Sequence, residues 1–212
     1  MKLLIPDNET VKLFDTYTKI RETIVRRLQE FKKLGDKNDD RIFEELVFCL
    51  LTPQSKARIC WNAVLNLRKK GLIKDGQEEG ILNELTGVRF KYNKARYIVE
   101  ARKKFTRNGR IEIKATLQQC KDPIEVREWL VRNIKGLGYK EASHFLRNIG
   151  HGKTLAILDR HILKNLKYYR VISDIPGSLT RKRYLEIERK MQDFSRKIGI
   201  PMDHLDLLLW FN

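Results

Sequence analysis

Apolar residues recur along this chain at intervals of three and four, the spacing that puts one greasy stripe on a helix. Over residues 7–34 the stripe is Val11, Phe14, Ile24, Leu28 and Phe31, and Gly35 ends it. Ile42, Phe43, Leu46, Val47 and Leu50 form the next stripe, over 40–51. Ser55 stands where a cap is needed for a third helix, which runs through Ile59, Ala63 and Leu67 to a stop at Gly71. A shorter helix is expected over 77–85, and Tyr92, Ala95, Ile98, Val99 and Arg102 carry another that ends near Gly109. Only "RIEI", 110–113, alternates with the period of a strand.

The stretch "KDPIEVREWLVRNIKG" holds a full set of helix-start signals. Asp122 is the cap, Pro123 fills the first helical position, and Glu125 completes a box-like pattern. Val126, Trp129, Leu130 and Ile134 make its core face, and Ala142, Phe145, Leu146 and Ile149 make that of the helix after the next turn. Further helices are expected over 159–169, 180–198 and 202–211. The fold class is therefore all-α. Loops near 35–40 and 150–158 are the natural seams.

Charge narrows the function. Of 212 residues, 44 are Lys or Arg and 27 Asp or Glu, a net charge of +17. Ion-pair networks need both signs, so an excess this large points to a polyanion, nucleic acid before membrane. The three cysteines, Cys49, Cys60 and Cys120, follow neither a metal-ligand spacing nor a disulfide framework, and the four histidines fit no zinc pattern. No segment reaches the roughly 18 apolar residues of a membrane span, and the N-terminal apolar run is too short for a signal peptide. The expectation is a monomeric, intracellular, cytoplasmic protein acting at DNA.

The chemistry concentrates in "IKGLGYKEASHFLRNIG". Two amphipathic helices joined by Gly136-Leu137-Gly138 make a helix–hairpin–helix over 126–150. Such a turn leaves N–H groups at the start of the second helix, an anion site suited to one phosphate. Lys140, in the first turn, is either one more phosphate contact or a nucleophile. As a nucleophile it must be neutral when it attacks, and the positive end of a helix disfavours an ammonium. It also needs a carboxylate to assist. Asp159, nineteen positions on (159 − 140), lies between the apolar run Leu155–Leu158 and a new helix. There it can cap the helix, take part in the chemistry, or do both.

Gly136-x-Gly138-x-Lys140 followed by Asp159 resembles the core of the helix–hairpin–helix (HhH-GPD) DNA glycosylase superfamily, a two-lobed helical fold. "WLVRNIKGLGYKEASHFLRNIG" is most similar to archaeal-type 8-oxoguanine DNA glycosylase/lyases, with the likeness running from "ELVFCLLT" at 45–52 to "LDLLLWF" at 205–211. The resemblance implies one lobe from 1–36 plus 154–212 and a second from 37–153. It implies that Lys140 attacks C1′ of a flipped nucleotide in duplex DNA carrying an oxidised base. A Schiff base and β-elimination then follow, with Asp159 assisting. It implies that the backbone carbonyls of Arg132, Ile134 and Leu137 can hold a structural cation bridging to phosphate, with no other cofactor required. His161 corresponds to a histidine on the DNA backbone, and Gln54 to a wedge beside the orphaned base. Phe90, with Asp206 and Trp210 sharing a face of the last helix, corresponds to the base pocket.

Three features depart from relatives of this type. "TPQS" differs from their aromatic-containing wedge loops. Relatives run several residues past the tryptophan to a terminal lysine that helps close the pocket, whereas this chain ends at Asn212, which leaves the preferred lesion open. The four-cysteine iron–sulfur cluster of the endonuclease-III-like branch has no counterpart, because no cysteine lies beyond Cys120. Two rival readings stand beside the leading one: the same chemistry on another oxidised base, and a non-catalytic helix–hairpin–helix module that only binds DNA.

Overall fold

The computed structural model describes residues 8–211. The expected N-terminal helix start at residue 7 lies outside the described residues. Among these, twelve helices account for nearly all the regular structure. The one sheet is a pair of two-residue strands, β1 (Thr106–Arg107) and β2 (Arg110–Ile111), antiparallel across a tight turn at Asn108-Gly109. The alternating "RIEI" thus forms half a strand; its second half starts a short helix instead. The all-α expectation holds.

The chain divides into two compact units. The larger runs from Lys32 to His151 and is built on α2 (Asp39–Leu51). Asn38 caps this helix by accepting from Arg41 N–H at 3.2 Å. Its stripe is buried as its periodicity requires: Ile42, Phe43, Leu46, Val47 and Leu50 are each at most 2 % exposed. Burying each such side chain stabilises the fold by about 1.5–3 kcal/mol. Around α2 pack α3 (Ala57–Lys69), α6 (Lys91–Phe105), α7 (Ile113–Leu117) and α9 (Tyr139–Asn148). The single-turn α4 (Leu72–Asp75) and α5 (Glu78–Glu84) complete the α3–α6 side. α8 (Pro123–Asn133) is antiparallel partner to α9.

The second unit combines α1 up to Phe31 with everything from Gly152 onward. The long helix α1 (Asn8–Gly35) buries Leu13, Ile24 and Phe31, while Val11, expected on its apolar stripe, is exposed. Those three lie eleven and seven residues apart, whole numbers of turns, so they form a single line on one face. The unit also contains α10 (Arg160–Tyr168), α11 (Arg181–Ile198) and α12 (Met202–Phe211). α12 packs on both α10 and α11.

A short extended segment, Leu155 to Leu158, runs through the core of this second unit. Buried backbone N–H groups without a helix or sheet must find partners elsewhere. Three buried side chains supply them. Glu188 accepts from Ala156 N–H at 2.8 Å, Asp206 from Ile157 N–H at 3.1 Å, and the Tyr184 hydroxyl from Leu158 N–H at 3.4 Å. The apolar run before Asp159 is thus a strapped, buried lead-in that sets where the aspartate emerges.

Candidate active site

The hairpin follows from local sequence. Asp122 caps α8 through Ile124 and Glu125 N–H, at 2.8 and 2.9 Å, and Glu125 reaches back to Lys121 N–H at 2.9 Å. The cap is the expected one, while Glu125 reaches one residue beyond the N–H that a capping box would use. α8 ends as Ile134 turns extended, and the chain reverses over Lys135 to Gly138. Gly136 has φ +89°, and a Cβ there would come 2.5 Å from Tyr97 of α6. Both facts require glycine. Gly138 differs from Gly136: its φ is −89°, which any residue adopts. A Cβ at Gly138 would meet only the flexible Glu141 carboxylate, at 3.1 Å. As the N-cap of α9, Gly138 instead leaves the first N–H groups of that helix uncovered by a side chain.

The two helices are locked by a buried cation and a tyrosine. Arg127 is fully buried, donates to Ser143 Oγ at 3.1 Å, and sits 5.4 Å from the Tyr139 ring centroid. Tyr139 in turn hydrogen-bonds the Glu128 carboxylate at 2.8–2.9 Å. Sequence reasoning missed Arg127, because an arginine beside an apolar stripe reads as surface. Its signal was Ser143 at the facing position of α9.

Lys140 lies in the first turn of α9, 29 % exposed, with Nζ 2.9 Å from Glu141 Oε1. Glu141 is mostly buried. One turn further, His144 sits edge-on to Phe48, ring centroids 5.9 Å apart. Burial, with Arg147 and Lys140 adding to it, pushes His144 well below its ordinary value of 6.5, so the imidazole is neutral. The same body holds a buried Asn148–Glu45 hydrogen bond of 2.6 Å and Cys49, whose thiol burial and Glu45 drive upward. Cys49 is therefore an inert core thiol.

Asp159 belongs to the second unit and caps α10: Oδ1 accepts from Ile162 N–H at 2.8 Å. A carboxylate has two oxygens, so the cap leaves acceptor capacity for chemistry. His161 is exposed two residues later, with Nε2 3.3 Å from Asn165. Asn165 ties α10 to the end of α12 by donating to Leu209 O at 2.7 Å.

The last-helix pair is divided. Asp206 is 2 % exposed and holds the Ile157 N–H, whereas Trp210 is 56 % exposed. Asp206 thereby fixes the lead-in to Asp159, a use that helical periodicity does not reveal. Gln54 and Phe90 share one unusual feature. Each is exposed, and each has a left-handed backbone, φ +54° and +58°. At 55 % exposure Phe90 is not part of the core. Arg89, Lys91 and Arg96 lie 5.5–5.8 Å from the rings of Phe90, Tyr92 and Tyr97, a basic-aromatic surface of the kind that meets nucleic acid. Ser55 corrects an expectation: it does not cap α3, whose first residue follows Lys56. Its hydroxyl instead accepts from Arg89 N–H at 3.0 Å.

Of the three carbonyls expected to hold a cation, Ile134 O accepts from Leu137 N–H at 3.3 Å. A carbonyl has a second lone pair, and Arg132 and Ile134 lie at the C-terminal, negative end of α8, with Leu137 in the turn beyond it.

A glycine reversal between two locked helices, uncovered N–H groups at the second and a lysine in its first turn define a helix–hairpin–helix protein built to take a nucleic-acid phosphate. The sequence profile described as 8-oxoguanine DNA glycosylase matches residues 24–200. An 8-oxoguanine DNA glycosylase/AP lyase of Fusobacterium nucleatum is 48 % identical over 96 % of this chain and 93 % of its own length. The fold matches the Methanocaldococcus jannaschii 8-oxoguanine glycosylase/lyase crystallised with a 15mer DNA containing 8-oxoguanine, with TM-score 0.85, 36 % identity and 95 % of each chain covered. It also matches the Thermotoga maritima 8-oxoguanine DNA glycosylase, with TM-score 0.83, 34 % identity, and 97 % of this chain and 95 % of that one covered. The chain belongs to the 8-oxoguanine DNA glycosylase family.

Proposed function

We propose that this protein excises 8-oxoguanine from double-stranded DNA and then cuts the strand at the resulting site, with Lys140 as nucleophile. The observation that carries the reading is Lys140 itself, held in the first turn of α9 behind the Gly136–Gly138 reversal, in a chain 48 % identical to a glycosylase/AP lyase. A lysine in this place distinguishes a lyase from an enzyme that only positions water.

The uncovered N–H groups of α9 take a backbone phosphate. A cation held by the carbonyls of Arg132, Ile134 and Leu137 would supply a second positive charge to that phosphate. The damaged nucleotide leaves the stack, Gln54 fills its place, and Phe90 and Trp210 present ring faces to the base. His161 adds a backbone contact. Lys140 must first lose a proton, since only the neutral amine attacks. Its contact with Glu141 opens as C1′ approaches. The new N–C1′ bond forms as the bond to the base breaks, the departing base taking the electron pair and the proton that the newly bonded nitrogen sheds. Asp159 stabilises the positive charge that builds on the sugar. Loss of the ring oxygen bond gives the Schiff base. Removal of a C2′ proton then expels the 3′ phosphate and cuts the strand.

The protein is read as a monomer working inside the cell, where its duplex substrate lies. The test is a duplex with one 8-oxoguanine, labelled on the damaged strand. The expected result is free 8-oxoguanine and a nicked strand, with undamaged duplex left intact. Binding without either product would leave a DNA-binding module; nicking only at other oxidised bases would move the specificity.

A further inference from the structure

Lys94 is a buried cation that the reaction above does not use. It sits in the first turn of α6 and is 4 % exposed. Its three ammonium protons meet three neutral acceptors: Leu51 O and Pro53 O at 2.7 Å each, and Ser55 Oγ at 3.2 Å. Burial pulls its amine below the ordinary value of 10.5, and the charges of Glu141 and Lys140 act on it in opposite directions.

These acceptors belong to the loop between α2 and α3 that carries Gln54. Ser55 Oγ also takes the Arg89 N–H at 3.0 Å, in the turn that carries Phe90. Cys60 adds a contact from α3 to Leu51 O at 3.1 Å. One lysine and one serine therefore fasten two loops separated by more than thirty residues. Each loop presents one large exposed residue in the left-handed region, at φ +54° for Gln54 and +58° for Phe90. Such conformations persist in non-glycine residues only where the surroundings hold them. The same helix α6 supports the hairpin, because Gly136 rests on Tyr97.

We propose that Lys94 and Ser55 form a bracket that sets Gln54 and Phe90 as one rigid unit, so that filling the gap in the duplex and receiving the extruded base are a single event. Lys94 is a positioning residue and touches neither base nor sugar. The proposal rests on the reading of Gln54 and Phe90 as DNA-facing residues. It predicts coupling between two residues whose side chains act on different parts of the DNA.

The experiment uses the full chain and a duplex with 2-aminopurine beside the 8-oxoguanine, whose fluorescence rises when the stack opens. Lys94→Met keeps the volume of the stem and removes the donors; Ser55→Ala removes the link to Arg89 and one of the three Lys94 acceptors, leaving Leu51 O and Pro53 O, and is the milder variant. Fluorescence enhancement is expected to fall about tenfold in Lys94→Met and less in Ser55→Ala, with binding measured by anisotropy changing no more than about threefold. Gln54→Ala and Phe90→Ala should each reduce the enhancement in the wild type and have little further effect in Lys94→Met. A merely structural lysine would lower the melting temperature without producing that non-additivity. The bracket is overturned if folded Lys94→Met and Ser55→Ala open the stack as the wild type does. Full, additive losses from Gln54→Ala and Phe90→Ala in Lys94→Met overturn it as well, and so does a wild type that never opens the stack. A wild type that opens the stack without excising the base, and loses opening in Lys94→Met, keeps the bracket and overturns the assigned reaction.

Discussion

Asp159 shows how one side chain can carry two tasks that a substitution can separate. Its Oδ1 caps α10 through Ile162 N–H, and the proposed reaction needs its charge. Asparagine caps as well as aspartate but is neutral. Asp159→Asn should therefore leave the denaturation midpoint nearly unchanged while slowing base excision on the order of 10²–10⁴-fold. Asp159→Ala should lose the same chemistry and about 1 kcal/mol of stability as well. Equal activity in Asp159→Asn and wild type would reduce the residue to its cap. His144 offers a second test at this scale. The folded protein holds it neutral, its value pushed well below 6.5, whereas the unfolded chain takes up a proton beneath about 6.5. The unfolded state thus binds more protons in that window, and stability falls as pH drops from 6.5 toward the depressed value. Melting temperatures measured from pH 7.5 down to about 5 should decline, and His144→Phe should flatten the decline.

At the scale of elements, the helix–hairpin–helix depends on its two glycines unequally. Gly136→Ala must place a Cβ 2.5 Å from Tyr97 in a backbone at φ +89°. It should cost roughly 1–3 kcal/mol in urea unfolding and weaken DNA binding. Gly138→Ala, in ordinary backbone against a mobile carboxylate, should unfold within about 0.5 kcal/mol of the wild type. Equal losses from both would contradict this division. The same scale shows what was legible beforehand. The long helices, the Asp122 start and the hairpin all follow from period and capping chemistry, which are local. The one-turn helix α4 and the five-residue α7 are too short to show a period. Ser55 stood in a capping position, yet its hydroxyl accepts from a backbone group 34 residues away and from the Lys94 amine, and nothing near it in sequence signals that. Lys94, and the bond by which Asp206 holds the Ile157 N–H, escaped for the same reason: each is a buried polar contact to a distant segment. That Lys140 and Asp159 stand at helix starts was legible, because the turn before one and the capping chemistry of the other are local.

The whole molecule carries +17, and that charge sets how it meets DNA. Phosphate contacts release counterions, so log affinity should fall linearly with log salt, with a slope of about −0.9 for each phosphate neutralised. Replacing Arg89 or Lys91 beside the exposed aromatics should reduce that slope by about 1 each, if each meets a phosphate. Binding that ignores salt would contradict a polyanion partner. Such binding is shared with non-catalytic hairpin proteins, however, and so does not reach the central claim. The most direct measurement is borohydride trapping on a duplex with a single 8-oxoguanine, comparing the wild type with Lys140→Gln. The account predicts a covalent protein–DNA adduct in the wild type and none in Lys140→Gln, which should still bind the duplex. Adduct formation by Lys140→Gln at the wild-type level would contradict it.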